Sequence, residues 1–224
     1  MSEKNRALAI SPDGTYVAGY ATRTQSSPSV EEQQPVFWNE GTFDFLFTDT
    51  GMDANQGGEA LAVNNSGEIV GYRVLRNDAD TDDIPRAFRS RADGTTVVPT
   101  DFLIPPLQAG SVNDDDVPSM AKFVTPRVGS SSGFSGGWAT LDPLGLPLHK
   151  PTIWWRRIGN DSEDAGKWVP IVQTEGVVNG SSDGEELFGS VASFGGTNPK
   201  AWRWPDGWTL GHGFDDKFLT HGFS

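Results

Sequence analysis

The 224-residue chain contains no cysteine. Disulfide bonds, thiolate metal sites and a cysteine nucleophile are therefore excluded, whereas the cellular compartment stays open. No run approaches the ~18 apolar residues that a transmembrane helix needs, so we expect no membrane insertion. Met1 does not begin a basic and apolar signal sequence. The sequence is therefore compatible with a processed or trimmed piece of a longer protein.

Basic residues are also scarce. Lysine and arginine total 17 against 30 acidic residues, which gives a net charge of −13. An acidic surface repels phosphate backbones, so we expect no nucleic-acid partner. The 3 histidines form no metal-ligand motif, and neither a nucleophile elbow nor a phosphate-binding glycine loop occurs. The sequence thus contains no signature of a reaction.

Glycine, proline and large aromatic residues are abundant, with 27 Gly, 15 Pro, 13 Phe and 8 Trp. Frequent turn residues between short apolar runs are typical of many short strands. Alternation is visible in "TFDFLF", which predicts Phe43, Phe45 and Phe47 on one face of a strand.

Similar segments recur along the chain, each with an apolar start, a glycine turn, a Val-Gly-type run and an aromatic-Arg-type run. The aromatic anchors are Phe37, Phe88, Trp154 and Trp202, at separations of 51, 66 and 48 residues. The longest separation contains residues 126–149, which we interpret as an insert. The predicted units span about 7–50, 58–104, 109–172 and 175–214.

Each unit contains four predicted strands, so the predicted fold class is all-β, with four repeated four-stranded antiparallel units in one domain. Units of this length suit the blades of a β-propeller, either a small closed ring or a slice of a larger one. Residues 215–224 are predicted to form a closing strand, because an open array leaves unpaired edges. The alternative is that Phe218–Ser224 begins a fifth unit.

The segments "AISPDGTYVAGY" (Ala9–Tyr20), "AVNNSGEIVGY" (Ala62–Tyr72) and "AWRW…LG" (Ala201–Gly211) resemble the HAF-type extracellular repeat. The histidine of that motif is replaced here, since Arg86 and Lys200 precede the Ala-aromatic pairs. The resemblance implies a propeller-like β array in a secreted or cell-surface setting. It implies no catalytic residue.

The aromatic residues that recur in the repeat are predicted to fill the core between units, although they could also stack on sugars. Trp138, Trp168 and Trp208 lie outside the repeat pattern. We therefore interpret these three as the better ligand candidates.

A candidate metal site lies in "NDADTDD", where Asp78, Asp80 and Asp82 follow one another at every second position. This spacing resembles the first half of a calcium loop, in which carboxylates bind a hard cation. The second half is missing, because Asp83 and Arg89 replace the expected Gly and Glu. A solvated acidic loop is the alternative interpretation.

A local basic patch beside the insert is the candidate ligand-binding site. Its residues are His149, Lys150, Trp155, Arg156 and Arg157. The patch could bind an anionic glycan, or it could pair with acidic residues of a neighbouring unit.

The leading hypothesis is a non-catalytic secreted or surface module. It would bind a protein, a glycan or a cell-envelope component at the loop face, without a cofactor other than calcium. The alternative is a polysaccharide lyase or hydrolase that uses the insert, since an active site should break the repeat locally.

Overall fold

The computed structural model describes the chain from residue 5 to residue 203 in twelve segments. These are 5–24, 31–47, 57–76, 83–93, 96–103, 117–125, 135–141, 148–154, 167–168, 176–182, 186–191 and 200–203. Every regular element in these segments is a strand, so the all-β prediction is confirmed. Within the same segments, no helix is long and apolar enough to cross a membrane.

The described strands form four antiparallel sheets, in each of which the hydrogen-bonded neighbours are consecutive in the chain. The first sheet contains β1 (Arg6–Ile10), β2 (Tyr16–Thr24), β3 (Glu31–Asn39) and β4 (Thr42–Phe45). The second contains β5 (Gly58–Val63), β6 (Glu68–Arg76), β7 (Asp83–Asp93) and β8 (Thr96–Phe102). The third contains β9 (Ser119–Val124), β10 (Ser135–Leu141), β11 (Leu148–Trp154) and β12 (Lys167–Trp168). The fourth contains β13 (Gly176–Ser182), β14 (Glu186–Val191) and β15 (Lys200–Arg203).

All four sheets have the same irregularity in the first strand. One residue of that strand is unpaired opposite a glycine of the second strand, which is a β-bulge. The glycines at the bulge are Gly19, Gly71, Gly137 and Gly189. A Cβ atom at Gly71 would overlap the backbone carbonyl oxygen of Glu59, and Gly19 and Gly137 are equally close to backbone oxygens. Glycine is required there because the bulge brings the two backbones together.

The turns between the first and second strands use glycine for a different reason. Gly14 and Gly67 have φ values of 77° and 69°, in the left-handed region that glycine adopts without steric cost. The Ser11 carbonyl accepts a hydrogen bond from Gly14 N, and the Asn64 carbonyl accepts one from Gly67 N. The predicted glycine turns at these two places are therefore present.

The sheets stack on one another through apolar faces. Ala18 and Phe37 of the first sheet share a buried cluster with Ala60, Ile69 and Phe88 of the second. The opposite face of the second sheet belongs to another buried cluster, which it shares with the third sheet. The members of this second cluster are Val70, Ala87, Leu103, Ala121, Ala139 and Trp154. Both faces of the second sheet are thus covered by its neighbours.

The first strands of successive sheets also lie side by side. β5 contacts β1 and β9, and β13 contacts β9. The extensive contacts described between sheets join the first to the second, the second to the third and the third to the fourth.

A buried ion pair crosses the second sheet at its face toward the third. Arg89 Nη2 donates to Glu68 Oε1 at 2.9 Å, and the exposed fractions of the two side chains are 6% and 3%. Asn64 Nδ2 donates both to Glu68 Oε2 and to the carbonyl oxygen of Thr125, which directly follows β9 of the third sheet. This network holds the turn between β5 and β6 of the second sheet against the end of β9 in the third sheet.

The interpretation of residues 126–149 as an insert is wrong in part, because residues 135–141 form β10, the second strand of the third sheet. The sequence comparison missed this strand because the connection from β9 is long. The segment therefore does not match the glycine-turn pattern of the first two units.

The anchor alignment is also wrong in register. Phe88 and Trp202 lie opposite the bulge glycines Gly71 and Gly189, whereas Phe37 lies opposite Ala18 and Trp154 opposite Ser135. Relative to Phe88, Phe37 is shifted by one residue in the register. Phe37 therefore points from the first sheet toward the second, whereas Phe88 points from the second sheet toward the first. All three described rings are nonetheless buried, as predicted for Phe37, Phe88 and Trp154.

Phe47 does not share a face with Phe43 and Phe45, contrary to the prediction. β4 ends at Phe45, and the chain then turns so that Phe47 packs between the first two sheets. Its ring lies 5.2 Å from that of Phe88 and 5.9 Å from that of Phe102. Phe43 stays on the opposite face and is 38% exposed.

Candidate functional site

An aromatic residue follows the bulge glycine in three successive sheets. Tyr20 follows Gly19, Tyr72 follows Gly71 and Trp138 follows Gly137, and each occupies the same place in the register of its sheet. The fourth sheet has Ser190 at this position. We call Tyr20, Tyr72 and Trp138 the aromatic row.

The aromatic row lies between neighbouring sheets. Because side chains alternate along a strand, Tyr20 shares a face with Ala18, which packs against the second sheet. Tyr72 shares a face with Val70, which packs against the third sheet. Each row residue thus points toward the following sheet from the middle of its strand. Both tyrosines are half-buried.

Polar groups accompany Tyr72. Glu59 lies opposite Tyr72 in the register, and its Oε1 atom accepts a 2.6 Å hydrogen bond from Gln33 Nε2 of the first sheet. Burial raises the pKa of the Tyr72 phenol above its ordinary value of 10.0, and the negative charge of Glu59 raises it further. The phenol is therefore neutral over the physiological range and retains its hydrogen for donation.

Trp138 is the most covered member of the row. The ring of His149 lies on it, with the ring centroids 3.9 Å apart and the planes inclined by 17°. His149 is opposite Thr140, so His149 and Trp138 share the face of the third sheet that points toward the fourth. The exposed fraction of Trp138 is 8%, and His149 is half-buried.

The chemistry of the row suits the recognition of sugar rings. The ring faces of Tyr20 and Tyr72 offer apolar, slightly negative surfaces to C–H groups, whereas Trp138 is 8% exposed and carries the His149 ring on its face. The Tyr72 hydroxyl and the Glu59 carboxylate add a hydrogen-bond donor and an acceptor within one register position. Few polar groups among aromatic side chains are typical of ligand sites.

The structure separates two residues of the predicted basic patch. His149 and Lys150 are consecutive in β11, so they lie on opposite faces of the third sheet. Lys150 lies opposite Ala139, on the face toward the second sheet. Trp155, Arg156 and Arg157 lie outside the described residues.

The predicted metal ligands Asp78, Asp80 and Asp82 also lie outside the described residues, between β6 and β7, so the calcium site stays a prediction. The part of the chain that the structure describes contains no group of three His, Asp or Glu residues placed to hold a metal ion. Of the ligand candidates outside the repeat pattern, only Trp138 has a described side chain.

Sequence reasoning missed the aromatic row as a set, although a signal for it exists. The dipeptides Gly19-Tyr20, Gly71-Tyr72 and Gly137-Trp138 each join the bulge glycine to the row residue. The third dipeptide, Gly137-Trp138, lies in β10, within the segment 126–149 that was interpreted as an insert. Trp138 is therefore not an isolated aromatic residue, as first interpreted, but occupies the same register position as the two tyrosines.

Comparison of the chain with protein families, curated proteins and solved structures gives no match.

Proposed function

We propose that this protein is a non-catalytic, propeller-like repeat module that binds neutral glycans through the aromatic row between its sheets. One observation carries the proposal. Aromatic side chains occupy one register position in three successive sheets, and two of them, Tyr20 and Tyr72, are half-exposed between neighbouring sheets. Core packing alone does not require a polar phenol at a partly exposed position.

The repeat part of the proposal has independent support. The same bulge recurs in four sheets, and successive sheets stack face to face with their first strands adjacent. Four repeated units around an axis would produce this arrangement. The resemblance to HAF-type repeats supports a secreted or cell-surface location, which is part of the same proposal.

Charge favours a neutral ligand over an anionic one. The chain has a net charge of −13, and Glu59 adds a carboxylate beside Tyr72. A polyanionic glycan would be repelled by this field, whereas stacking of a neutral sugar ring is indifferent to it. Nucleic acid is disfavoured for the same reason.

Affinity electrophoresis in gels that contain a neutral polysaccharide tests the proposal. Hydroxyethylcellulose, galactomannan and xylan are suitable probes. We expect retardation in at least one gel, and weakening by about tenfold in Tyr72→Ala, since one stacked ring contributes about 1–3 kcal/mol. Phe43→Ala is the matched control, because Phe43 is 38% exposed but lies outside the row. Equal retardation of Tyr72→Ala and the wild type, or none in any gel, would contradict the proposal.

A second candidate function is a polysaccharide-acting enzyme, a lyase or hydrolase. His149 favours it, because a half-buried imidazole contacts Trp138 within the row. A general acid or base must lie beside the bound substrate. Release of reducing ends that is lost in His149→Ala, while binding persists, would establish this function in place of simple binding.

A further inference from the structure

His149 occupies in the third sheet the register position that Gln33 occupies in the first. Gln33 lies opposite Thr22, the third residue after the bulge glycine of its sheet. His149 lies opposite Thr140, which has the same place after the bulge glycine of the third sheet. Both side chains point toward the following sheet, on the face that carries the aromatic row. The two residues are therefore equivalent in position, although one is an amide and the other an imidazole.

The following sheet offers these two residues different partners. Gln33 Nε2 donates a 2.6 Å hydrogen bond to Glu59 Oε1, in the first strand of the second sheet. Val177 takes the place of Glu59 in the fourth sheet, since each precedes the residue that pairs with the bulge glycine. The side chain of Val177 has no hydrogen-bonding group. The acceptor that holds Gln33 to the next sheet is thus absent at the equivalent place, and the His149 ring lies on Trp138 instead.

The imidazole of His149 covers Trp138 in the manner of a stacked ligand. The two ring centroids are 3.9 Å apart and the planes are inclined by only 17°. Trp138 is 8% exposed, whereas the other members of the aromatic row, Tyr20 and Tyr72, are half-buried. His149 is itself half-buried, so part of the imidazole borders solvent. The ring that hides Trp138 therefore lies at the edge of the protein rather than in its core.

A hydroxyl group lies beside this stack. Thr140 is 5% exposed, and its Oγ1 atom is buried without a hydrogen-bond partner among the residues that the structure describes. Thr140 is directly opposite His149 and shares the face of Trp138, two residues away along β10. A buried hydroxyl that lacks a partner is unfavourable, so a group that hydrogen-bonds to it is bound favourably. The hydroxyl groups of a sugar can donate and accept such a bond.

We propose that His149 is a lid over the third sugar subsite of the aromatic row, which consists of the Trp138 ring and the Thr140 hydroxyl. The imidazole moves aside when a neutral pyranose ring binds. The sugar then stacks on Trp138, and one of its hydroxyl groups hydrogen-bonds to Thr140 Oγ1. Because opening breaks the stack between the two rings, the observed affinity is reduced by the fraction of molecules that are open. The inference rests on the proposed function, since it concerns the same row.

Affinity electrophoresis in hydroxyethylcellulose, galactomannan or xylan tests the lid. His149→Ala should bind about twofold to tenfold more tightly than the wild type, which is the fold-change that one aromatic stack is worth. His149→Phe keeps a ring on Trp138 and should behave as the wild type. Lys150→Ala is the matched control and should also leave binding unchanged, because Lys150 is the next residue of β11 and lies on the opposite face. Adding Thr140→Val to His149→Ala should remove much of the gain.

Proton NMR of the wild type tests the lid without a substitution. The His149 ring protons lie over the indole and should resonate upfield of those of an exposed histidine. The spectrum of His149→Ala identifies them among the 3 histidines. Saturation with the hexasaccharide of the polysaccharide that retards the protein should return these resonances toward their ordinary position. Ring protons that stay upfield in the saturated complex would overturn the proposal.

Unchanged or weaker retardation of His149→Ala would also overturn the proposal, because the imidazole would then not stand in the way of the sugar. If Tyr72→Ala still weakens retardation in that case, the proposed function survives and the lid alone fails. If no variant is retarded in any gel, the proposed function and the lid fail together.

Discussion

The imidazole of His149 lies on the indole of Trp138 with ring centroids 3.9 Å apart. An aromatic pair of this kind contributes about 0.5–1.5 kcal/mol beyond the area that it buries. We therefore expect His149→Ala to lower the free energy of unfolding by at least that amount, and His149→Phe to retain most of it. Urea denaturation monitored by tryptophan fluorescence measures both. Equal stabilities of the Ala and Phe variants would show that the stack is energetically neutral.

The bulge glycines predict a large effect from one methyl group. Gly71→Ala would place a Cβ against the carbonyl oxygen of Glu59. The backbone must then shift, and we expect a cost of about 1–3 kcal/mol or more. In Gly57→Ala, the matched control, the new Cβ would lie 3.3 Å from the carbonyl oxygen of Gln33, which a small adjustment relieves. Thermal unfolding should separate the two variants, and similar melting temperatures would contradict the bulge geometry.

Removing one member of the buried Glu68–Arg89 ion pair should destabilise the protein more than removing both members. Arg89→Met leaves the Glu68 carboxylate buried without this partner, which typically costs about 3–5 kcal/mol. Replacing both residues in Glu68→Leu/Arg89→Met removes the buried charge and should cost less than the single change. Chemical denaturation of the single and double variants measures the difference. A double variant that is less stable than Arg89→Met would refute this account of the pair.

The raised pKa of Tyr72 predicts a loss of stability in alkali. The folded state favours the neutral phenol, so this contribution is fully present below the ordinary pKa of 10.0. It is lost as the pH rises through that value and through the higher pKa of the folded state. Unfolding free energies between about pH 9 and pH 11 should therefore fall less steeply in Tyr72→Phe. Glu59→Gln removes the negative charge that helps to raise the Tyr72 pKa in the folded state. The pH range over which stability is lost should therefore be narrower in this variant.

The sequence was sufficient to predict the all-β class and several core positions. Phe37, Phe88 and Trp154 are buried as expected, because large aromatic rings fill the space between packed sheets. The glycine turns at Gly14 and Gly67 were also predictable, since only glycine takes their backbone conformation without cost.

The register of the sheets was not predictable from the aromatic residues. A β-bulge adds one residue to one strand, so the spacing between a turn and a core side chain varies by one without a visible change in pattern. Phe37 and Phe88 therefore look equivalent in sequence but point in opposite directions along the stack. The bulge glycines are the better alignment points, because their position is set by backbone contact.

The basic patch could not be resolved from the sequence, because composition does not reveal the face on which a side chain lies. His149 and Lys150 are adjacent in the chain but lie on opposite faces of the third sheet. Tyr20 and Tyr72 are 52 residues apart but occupy one register position. A candidate site assembled from neighbours in sequence therefore missed the set that the strands assemble in space.

Isothermal calorimetry with the polysaccharide that retards the protein tests the central claim most directly. The wild type is compared with the triple variant Tyr20→Ala/Tyr72→Ala/Trp138→Ala, after circular dichroism has shown that both retain the β-sheet spectrum. Binding through the aromatic row predicts saturable heat for the wild type and at least about 100-fold weaker binding for the triple variant, since more than one stacking contact is lost. An unchanged dissociation constant in the folded triple variant would contradict the account, because the ligand would then bind elsewhere.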